Sequence, residues 1–131
     1  MGIRVRIDNS MGESGTIELT ADGPLIFHKG TEVAERRRFT VAHEIGHFAL
    51  GHLKLGTTKY RDFTANFSSN SVNSEEREAN SFAAQLLMPA KTLKFMVSVN
   101  QITDVDALAK EFGVSQVAMK YRLTNIGLVH A

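Results

Sequence analysis

Alternating apolar and polar residues open the chain and predict a small sheet. The segment IRVRID, at positions 3–8, alternates as a half-buried strand does, and the short apolar segments TIEL and LIFHKG follow the turn sequences MGESG and ADGP. Because the links between these segments are too short for helical crossovers, we expect about three strands in a mainly antiparallel sheet over residues 3–28.

From about Glu32 the spacing of apolar residues becomes that of a helix. This pattern predicts a first long helix that runs to about Leu50, with Gly51 as a suitable stop. The apolar residues that fall on one side of it are Phe39, Ala42, Ile45, Gly46 and Ala49.

Residues 54–74 are rich in Ser, Thr and Asn and would form an unusually long loop for a compact domain. Loops of this length are commonly functional. Within this loop Phe63, Ala65 and Phe67 alternate with polar residues, a pattern that would suit a short edge strand.

A second helix is predicted from its N-cap, Ser74, to Leu87. Glu75 and Glu76 are favourably placed in its first turn, where they complement the helix dipole. Its buried stripe would consist of Ala79, Phe82, Ala83, Leu86 and Leu87.

The remaining chain predicts three further helices. Pro89 can open the first of them, AKTLKFMVS. Gly113 would form a turn between the other two and Ser115 would cap the last, which gives a helix-turn-helix-like tail. The expected core residues of this tail are Val105, Leu108, Phe112, Val117 and Leu123.

The composition is that of a soluble globular protein, since 43% of the 131 residues are hydrophobic and 22% are charged. A chain of this length builds one core, so we expect a single domain over residues 1–131. Residues 1–30 would form the sheet, residues 32–100 the helices and loop around the candidate site, and residues 101–131 the helical tail. The expected fold class is α+β.

Charge and cysteine content narrow the possible functions. The formal charge of +1 predicts no general attraction to nucleic acid or to an anionic membrane. The start, MGIRVRIDNS, lacks the apolar core of a signal peptide and no window approaches a membrane span, so we expect a cytoplasmic protein. Since the chain has no cysteine, any catalytic metal would be held by histidines and carboxylates.

The segment HEIGH carries the strongest chemical signal. Because successive residues of a helix turn by about 100°, His43 and His47 share a face and can bind one ion. Glu44 could take a proton from water at the open position of that ion, as in zinc-dependent amide hydrolases. The alternative is a coincidental pattern, but two histidines and a carboxylate inside an apolar helix would be costly without partners.

Catalytic zinc usually has three protein ligands, so a third ligand is needed. His52 does not fit the metzincin pattern, because Leu50 and Leu53 stand where that pattern requires Gly and His. We interpret His52 as a helix-end residue, with a contact to substrate or transition state as the alternative.

The second helix offers better candidates for the third ligand. On the helical count Glu78 points away from the buried stripe, whereas Glu75 and Glu76 lie on or beside it. Glu76 also shares a face with Asn80, whose amide could orient a ligand histidine. Periodicity alone leaves both Glu75 and Glu76 open, and both could merely complement the helix dipole.

Three segments together resemble the ImmA/IrrE metallopeptidases, a family found with mobile elements and in radiation-response regulation. They are RRRFTVAHEIGHFALGH, EEREANSFAAQLLMP and LAKEFGVSQVAMKYRLTNIGLV, and they span about residues 38–128. Their order and spacing also match the family. The resemblance implies a zincin-type helical core with the small sheet packed against it.

The resemblance also implies a set of site residues. The family has a glutamate four residues before an asparagine on this helix, which selects Glu76 and Asn80 in this chain. By resemblance, then, His43, His47 and Glu76 bind Zn²⁺. Glu44 would be the general base.

The implied activity is that of a zinc-dependent endopeptidase that cleaves a cytoplasmic regulator, namely a helix-turn-helix repressor of a mobile element or stress regulon. A rival interpretation is a zinc-stabilised binding module, such as a toxin–antitoxin or antirepressor partner, that cleaves nothing. Direct DNA binding by the tail is disfavoured, because residues 103–131 carry three basic and three acidic residues. No membrane partner is expected, and the oligomeric state is open.

Two other sets of residues could contact substrate. Arg36, Arg37 and Arg38 form the one strong charge run, which we interpret as a solvated helix face in which one arginine could pair with a core carboxylate. A donor to the developing oxyanion is also expected. The candidates for it are Tyr60, Tyr121, His52 and the arginines.

Overall fold

The computed structural model describes residues 2–55, 58–61 and 74–128 of the chain. None of the helices in these ranges is long and apolar enough to cross a membrane. Strands and helices combine in an α+β fold, which confirms the expected class. The elements within the described ranges are β1 Arg4–Ile7, β2 Gly15–Thr20, β3 Gly23–His28, α1 Ala34–Ala49, β4 Thr58–Arg61, α2 Ser74–Leu87, α3 Ala90–Ser98, α4 Val105–Phe112 and α5 Gln116–Asn125.

The strands lie in the order β1-β3-β2-β4. β2 pairs antiparallel with both β3 and β4, so the sheet is mainly antiparallel, as expected. β1, however, runs parallel to β3. No helical crossover is needed between β1 and β3. The chain returns through β2, which pairs with β3 on the side opposite to β1.

β4 lies at the edge of the sheet, within the segment that the sequence predicts to be a long loop. It pairs with the first four residues of β2, from Gly15 opposite Arg61 to Glu18 opposite Thr58. The edge strand expected around residues 63–67 lies outside the described residues. The edge strand β4 therefore precedes, along the chain, the segment in which the alternating pattern predicted such a strand.

The end of α1 redirects the chain. Gly51 has a positive φ of 75°, a conformation that glycine adopts without steric cost. Its N–H bonds the carbonyl of Phe48 at 3.1 Å, and the N–H of His52 bonds the carbonyl of His47 at 2.9 Å. This pair of bonds is the Schellman motif, which turns His52 back beside the last turn of α1.

α1 lies between the sheet and α2, and small residues allow both approaches. A Cβ on Gly15 of β2 would come within 2.4 Å of Cγ2 of Thr40, so that side chain fills the space over the glycine. On the other side a Cβ on Gly46 would lie 3.1 Å from Cδ1 of Phe82 and 3.2 Å from the carbonyl oxygen of Ala79. Glycine at these positions lets α1 approach both neighbours closely.

An apolar core joins α3, α4 and α5 to the end of α2. Most of the predicted tail residues lie in or against it, but Val117 is 56% exposed and its assignment to the core was wrong. α5 faces the core with Ala118 and Met119, which turns Val117 toward solvent. Leu86, predicted in the stripe of α2, is likewise 50% exposed. The fully buried members of this core are Met88, Leu93, Leu108, Ala109, Val114, Ala118, Met119 and Leu123.

Candidate metal centre

His43 and His47 are buried on one face of α1 and point their rings at the same place. Their side chains are 1% and 0% exposed. The two Nε2 atoms lie 3.2 Å apart, and the rings meet edge to face with centroids 4.7 Å apart. The i, i+4 spacing on a helix makes this convergence automatic. Burial of two imidazoles then requires polar partners.

Glu76 on α2 supplies one such partner. Its Oε1 lies 3.3 Å from Nε2 of His43 and its Oε2 lies 2.7 Å from Nε2 of His47. The carboxylate thus closes a cluster of donor atoms from two separate helices. The close approach of α2 to α1 at Gly46 brings this carboxylate within reach.

The pKa of Glu76 is set by two opposing effects. Burial acts to raise it, but hydrogen bonds and charge interactions with His43 and His47 outweigh burial and hold the pKa of this carboxyl well below its usual range. The side chain is therefore an ionised, acceptor-only group at neutral pH, which is the form that binds a cation.

The spacing of these donor atoms fits a metal ion. A tetrahedral zinc site with bonds of about 2.0–2.1 Å places its ligand atoms about 3.3–3.4 Å apart. The separations of 3.2 Å between the two histidine nitrogens and 3.3 Å between His43 and Glu76 agree with that value. The third, 2.7 Å between His47 and Glu76, is shorter and has the length of a charge-assisted hydrogen bond.

Glu44 is fully buried beside the two histidines. One of its carboxylate oxygens and one ring nitrogen of each histidine all lie within 4.8 Å of one another. On its other side, Oε2 would be 3.4 Å from a Cβ on Gly15, so the carboxylate also lies close to β2. Glu44 is thus near enough to take a proton from a water held by the cluster, while Glu76 makes the direct contacts to both rings.

Each histidine also has a partner at Nδ1, its second nitrogen. Nδ1 of His43 lies 2.8 Å from Oδ1 of Asn80, the contact that the spacing of Asn80 from Glu76 suggested. Nδ1 of His47 lies 2.9 Å from Nδ1 of His52. Such partners fix the ring orientation and direct Nε2 toward the centre of the cluster.

The sequence patterns did not predict the arrangement around His52. The residue does follow a helix end, but its Nε2 lies 2.8 Å from Oε1 of Glu78, so its ring links His47 to a carboxylate of α2. With both nitrogens engaged, His52 is not placed as a donor to an oxyanion. The signal in the sequence was Gly51, because a Schellman motif sets the residue after the glycine beside the residue that lies five positions before it.

The other predicted candidates lie elsewhere in the fold. Arg38 donates hydrogen bonds to the carbonyls of Phe112 and Gly113, so it ties α1 to the turn after α4 rather than to a carboxylate. Tyr60 lies in β4, and Tyr121 lies on α5 and is exposed.

A cavity of about 480 Å³ opens behind α1, on the face turned away from the two clustered histidines. Apolar residues of α1 and α2 line most of it, together with Arg37 and His28. It contains none of the candidate metal ligands. The chemical centre is thus the buried cluster itself rather than this cavity.

A family model and a known relative both match this chain. The family model Peptidase_M78, described as the IrrE N-terminal-like domain, matches residues 1–124. Metallopeptidase ImmA of Bacillus subtilis (strain 168) is 30% identical over 96 residues, which cover 73% of this chain and 54% of that protein. The chain therefore spans about half the length of this relative. These matches confirm the resemblance seen in the three motif segments and extend it to the N-terminal sheet.

Proposed function

Because the chain belongs to the Peptidase_M78 family, the IrrE N-terminal-like domain, we propose that it is a zinc-dependent endopeptidase. The observation that carries the proposal is the convergence of His43, His47 and Glu76 on one point. A metallopeptidase needs three protein donors for its ion and one further carboxylate as a base. Glu44 supplies the latter.

Zinc is the metal that this donor set favours. Two imidazole nitrogens and one carboxylate form a common ligand set of catalytic zinc, which leaves the fourth position open to solvent or substrate. His43, His47 and Glu76 would hold the ion. When bound, zinc would polarise the scissile carbonyl and lower the pKa of the attacking water toward neutrality.

The chain's own groups carry the proton. Glu44 accepts a proton from the attacking water as the water oxygen bonds to the carbonyl carbon. It then delivers that proton to the amide nitrogen as the carbon–nitrogen bond breaks, so one peptide bond and one water give one acid and one amine. Burial of Glu44 keeps this transfer away from bulk solvent.

The edge strand β4 offers an extended peptide substrate a place to bind. Within the described ranges no strand pairs with the side of β4 that faces away from β2. A peptide that adds to this edge as a further strand would be held by backbone hydrogen bonds along its length. α1 contacts β4, so a peptide on this edge runs beside the helix that carries the cluster.

The substrate we propose is a cytoplasmic helix-turn-helix repressor of a mobile element or stress regulon. This substrate is the one implied by the resemblance of the three motif segments, and the family match and the ImmA relative support the metallopeptidase activity that it requires. Cleavage of such a repressor would release the genes that it holds silent.

The test is cleavage of purified helix-turn-helix repressors by the zinc-loaded chain, with fragments identified by mass spectrometry. Glu44→Gln should bind one zinc per chain yet lower the cleavage rate by about 10²–10⁴-fold, since it removes only the base. Glu111→Gln, the same change at an exposed carboxylate of α4, should cleave at the wild-type rate. His43→Ala should lose both zinc and cleavage.

Two results would contradict the proposal. Cleavage that survives removal of zinc by a chelator would exclude a metallopeptidase. A chain that binds the repressors, cleaves none of them and keeps its full effect in cells as Glu44→Gln would instead be a zinc-stabilised binding module.

A further inference from the structure

A chain of close contacts leads from His47 to the surface. Nδ1 of His47 lies 2.9 Å from Nδ1 of His52, and Nε2 of His52 lies 2.8 Å from Oε1 of Glu78. The His52 side chain is 6% exposed, whereas that of Glu78 is 60% exposed. The buried ring of His52 thus connects a candidate metal ligand to a solvated carboxylate.

Hydrogen bonding determines which ring nitrogen carries the proton at each step of this series of contacts. An ionised carboxylate is an acceptor only, so Glu78 requires a proton on Nε2 of His52. In the neutral ring Nδ1 of His52 is then an acceptor, and it requires a proton on Nδ1 of His47. Nε2 of His47, the atom that faces His43 and Glu76, can then give up the proton that bonds Glu76 and offer its lone pair to zinc.

The opposite tautomers of His52 and His47 are unfavourable at both ends of this series of contacts. If Nδ1 of His52 carried the proton, its bare Nε2 would face the carboxylate of Glu78. At the other end His47 would carry its proton on Nε2, between the other donor atoms of the cluster. A ring in that tautomer cannot bind a metal ion through Nε2.

The two helices that carry the metal cluster, α1 and α2, together build this series of contacts. The Schellman motif at Gly51 turns His52 back beside His47, and α2 presents Glu78 two residues after Glu76. The two histidines are therefore held by different means. His43 bonds a neutral amide, Asn80, on α2. His47 bonds a second histidine that is itself held by a carboxylate.

We propose that His52 and Glu78 are positioning residues that hold His47 in the tautomer and orientation needed to bind zinc. This inference rests on the proposed function, because it assigns His47 as a ligand. Their role in this inference is to act through His47 rather than on the substrate or the reacting atoms. They affect the affinity for zinc and determine which nitrogen of the His47 ring carries the proton.

The test measures zinc affinity by competition with a chromophoric chelator in three variants of His52. His52→Leu and His52→Ala remove the acceptor and should weaken zinc binding by about 10–100-fold, the usual effect of losing a partner of a ligand histidine. His52→Asn keeps an acceptor oxygen near the position of Nδ1, so we expect binding within about threefold of wild type. Glu78→Ala should have a smaller effect than His52→Leu, because water can replace an exposed carboxylate.

A second measurement reads the tautomer directly. In the zinc-loaded protein the proton on Nδ1 of His47 should give a resonance protected from exchange with water. That resonance should persist in His52→Asn and be lost in His52→Leu. His28→Leu, a matched change at the end of β3, should alter neither the resonance nor the affinity. Urea unfolding of the zinc-free variants shows which of them fold.

The outcomes separate this inference from the proposed function. Wild-type affinity and a retained resonance in His52→Leu would overturn it, as would an affinity of His52→Asn as low as that of His52→Leu. If wild-type protein binds zinc, ranks the variants as expected and cleaves no repressor, the positioning role stands and the peptidase proposal fails. Failure of the wild type to bind zinc would overturn both.

Discussion

Gly46 of α1 lies so close to Phe82 of α2 that an added Cβ would come within 3.1 Å of the ring. The same Cβ would lie 3.2 Å from the carbonyl oxygen of Ala79. This approach sets the distance between the helix that carries His43 and His47 and the helix that carries Glu76. The metal cluster therefore depends on the absence of a side chain at Gly46.

Gly46→Ala should weaken zinc binding more than it affects stability. Alanine favours a helix over glycine by about 0.8–1 kcal/mol, which offsets part of the new crowding in the free energy of unfolding. The backbone of α2 must still shift by a few tenths of an ångström. A shift of this size takes up most of the about 0.5 Å within which the ligands of a site must be held, so we expect zinc affinity to fall by up to about tenfold.

Zinc titration checks this effect. Gly12→Ala is the matched control, because a Cβ at Gly12 meets nothing within 4 Å. Equal zinc affinities for Gly46→Ala and Gly12→Ala would show that helix spacing does not limit the site.

Glu76→Ala and Glu75→Ala should differ in zinc content. Both residues lie in the first turn of α2, so each substitution loses a similar helix-dipole contribution of about 0.3–1 kcal/mol. Only Glu76→Ala removes a carboxylate that contacts both histidines. We expect its zinc affinity to fall by more than about 100-fold, beyond the effect of losing an outer partner.

Metal analysis of the purified variants, followed by competition with a chelator, measures this difference. If Glu76→Ala retains full zinc occupancy while Glu75→Ala loses it, the ligand assignment passes to Glu75.

Asn80→Ala should weaken zinc binding by about 10–100-fold, since it removes the acceptor for Nδ1 of His43. Leaving that buried N–H without a partner should also lower the free energy of unfolding by about 1–3 kcal/mol. Asn80→Asp keeps an acceptor oxygen at this position and should retain more of the affinity than Asn80→Ala.

Zinc competition and urea unfolding check the two effects at Asn80 separately. Asn125→Ala, an exposed change at the end of α5, is the control for losing an amide. Identical affinities for the alanine and aspartate variants of Asn80 would show that the acceptor does not matter.

Gly15→Ala should destabilise the fold. Its Cβ would come within 2.4 Å of Cγ2 of Thr40, a buried β-branched side chain with little freedom to move. We expect a loss of about 1–3 kcal/mol in the free energy of unfolding. Thr40→Ser removes the clashing methyl group and keeps the hydroxyl, so the double variant should recover most of the loss.

A double-mutant cycle by urea unfolding measures this coupling. Additive effects of Gly15→Ala and Thr40→Ser would mean that the crowding is relieved elsewhere in the contact between α1 and β2.

Local patterns determined much of the chain on their own. The helical spacing of apolar residues predicted α1 to within two residues at its start and one at its end, and the pairing of His43 with His47 needs only the geometry of a single helix. Gly113 and Ser115 likewise predicted the boundary between α4 and α5. Gly113 has a positive φ of 67°, and the hydroxyl of Ser115 accepts from the N–H of Ala118.

Packing between distant segments decided the rest. Glu75 and Glu76 are adjacent and both favourable at a helix start, so only the docking of α2 on α1 brings Glu76 onto the histidines. His52 and Glu78 are 26 positions apart and meet because a glycine turn and a helix contact combine. Val117 is exposed because the partner helices determine which face of α5 is inward. Periodicity encodes the faces of one element, whereas which face meets which neighbour is set by the free energy of burying the whole core.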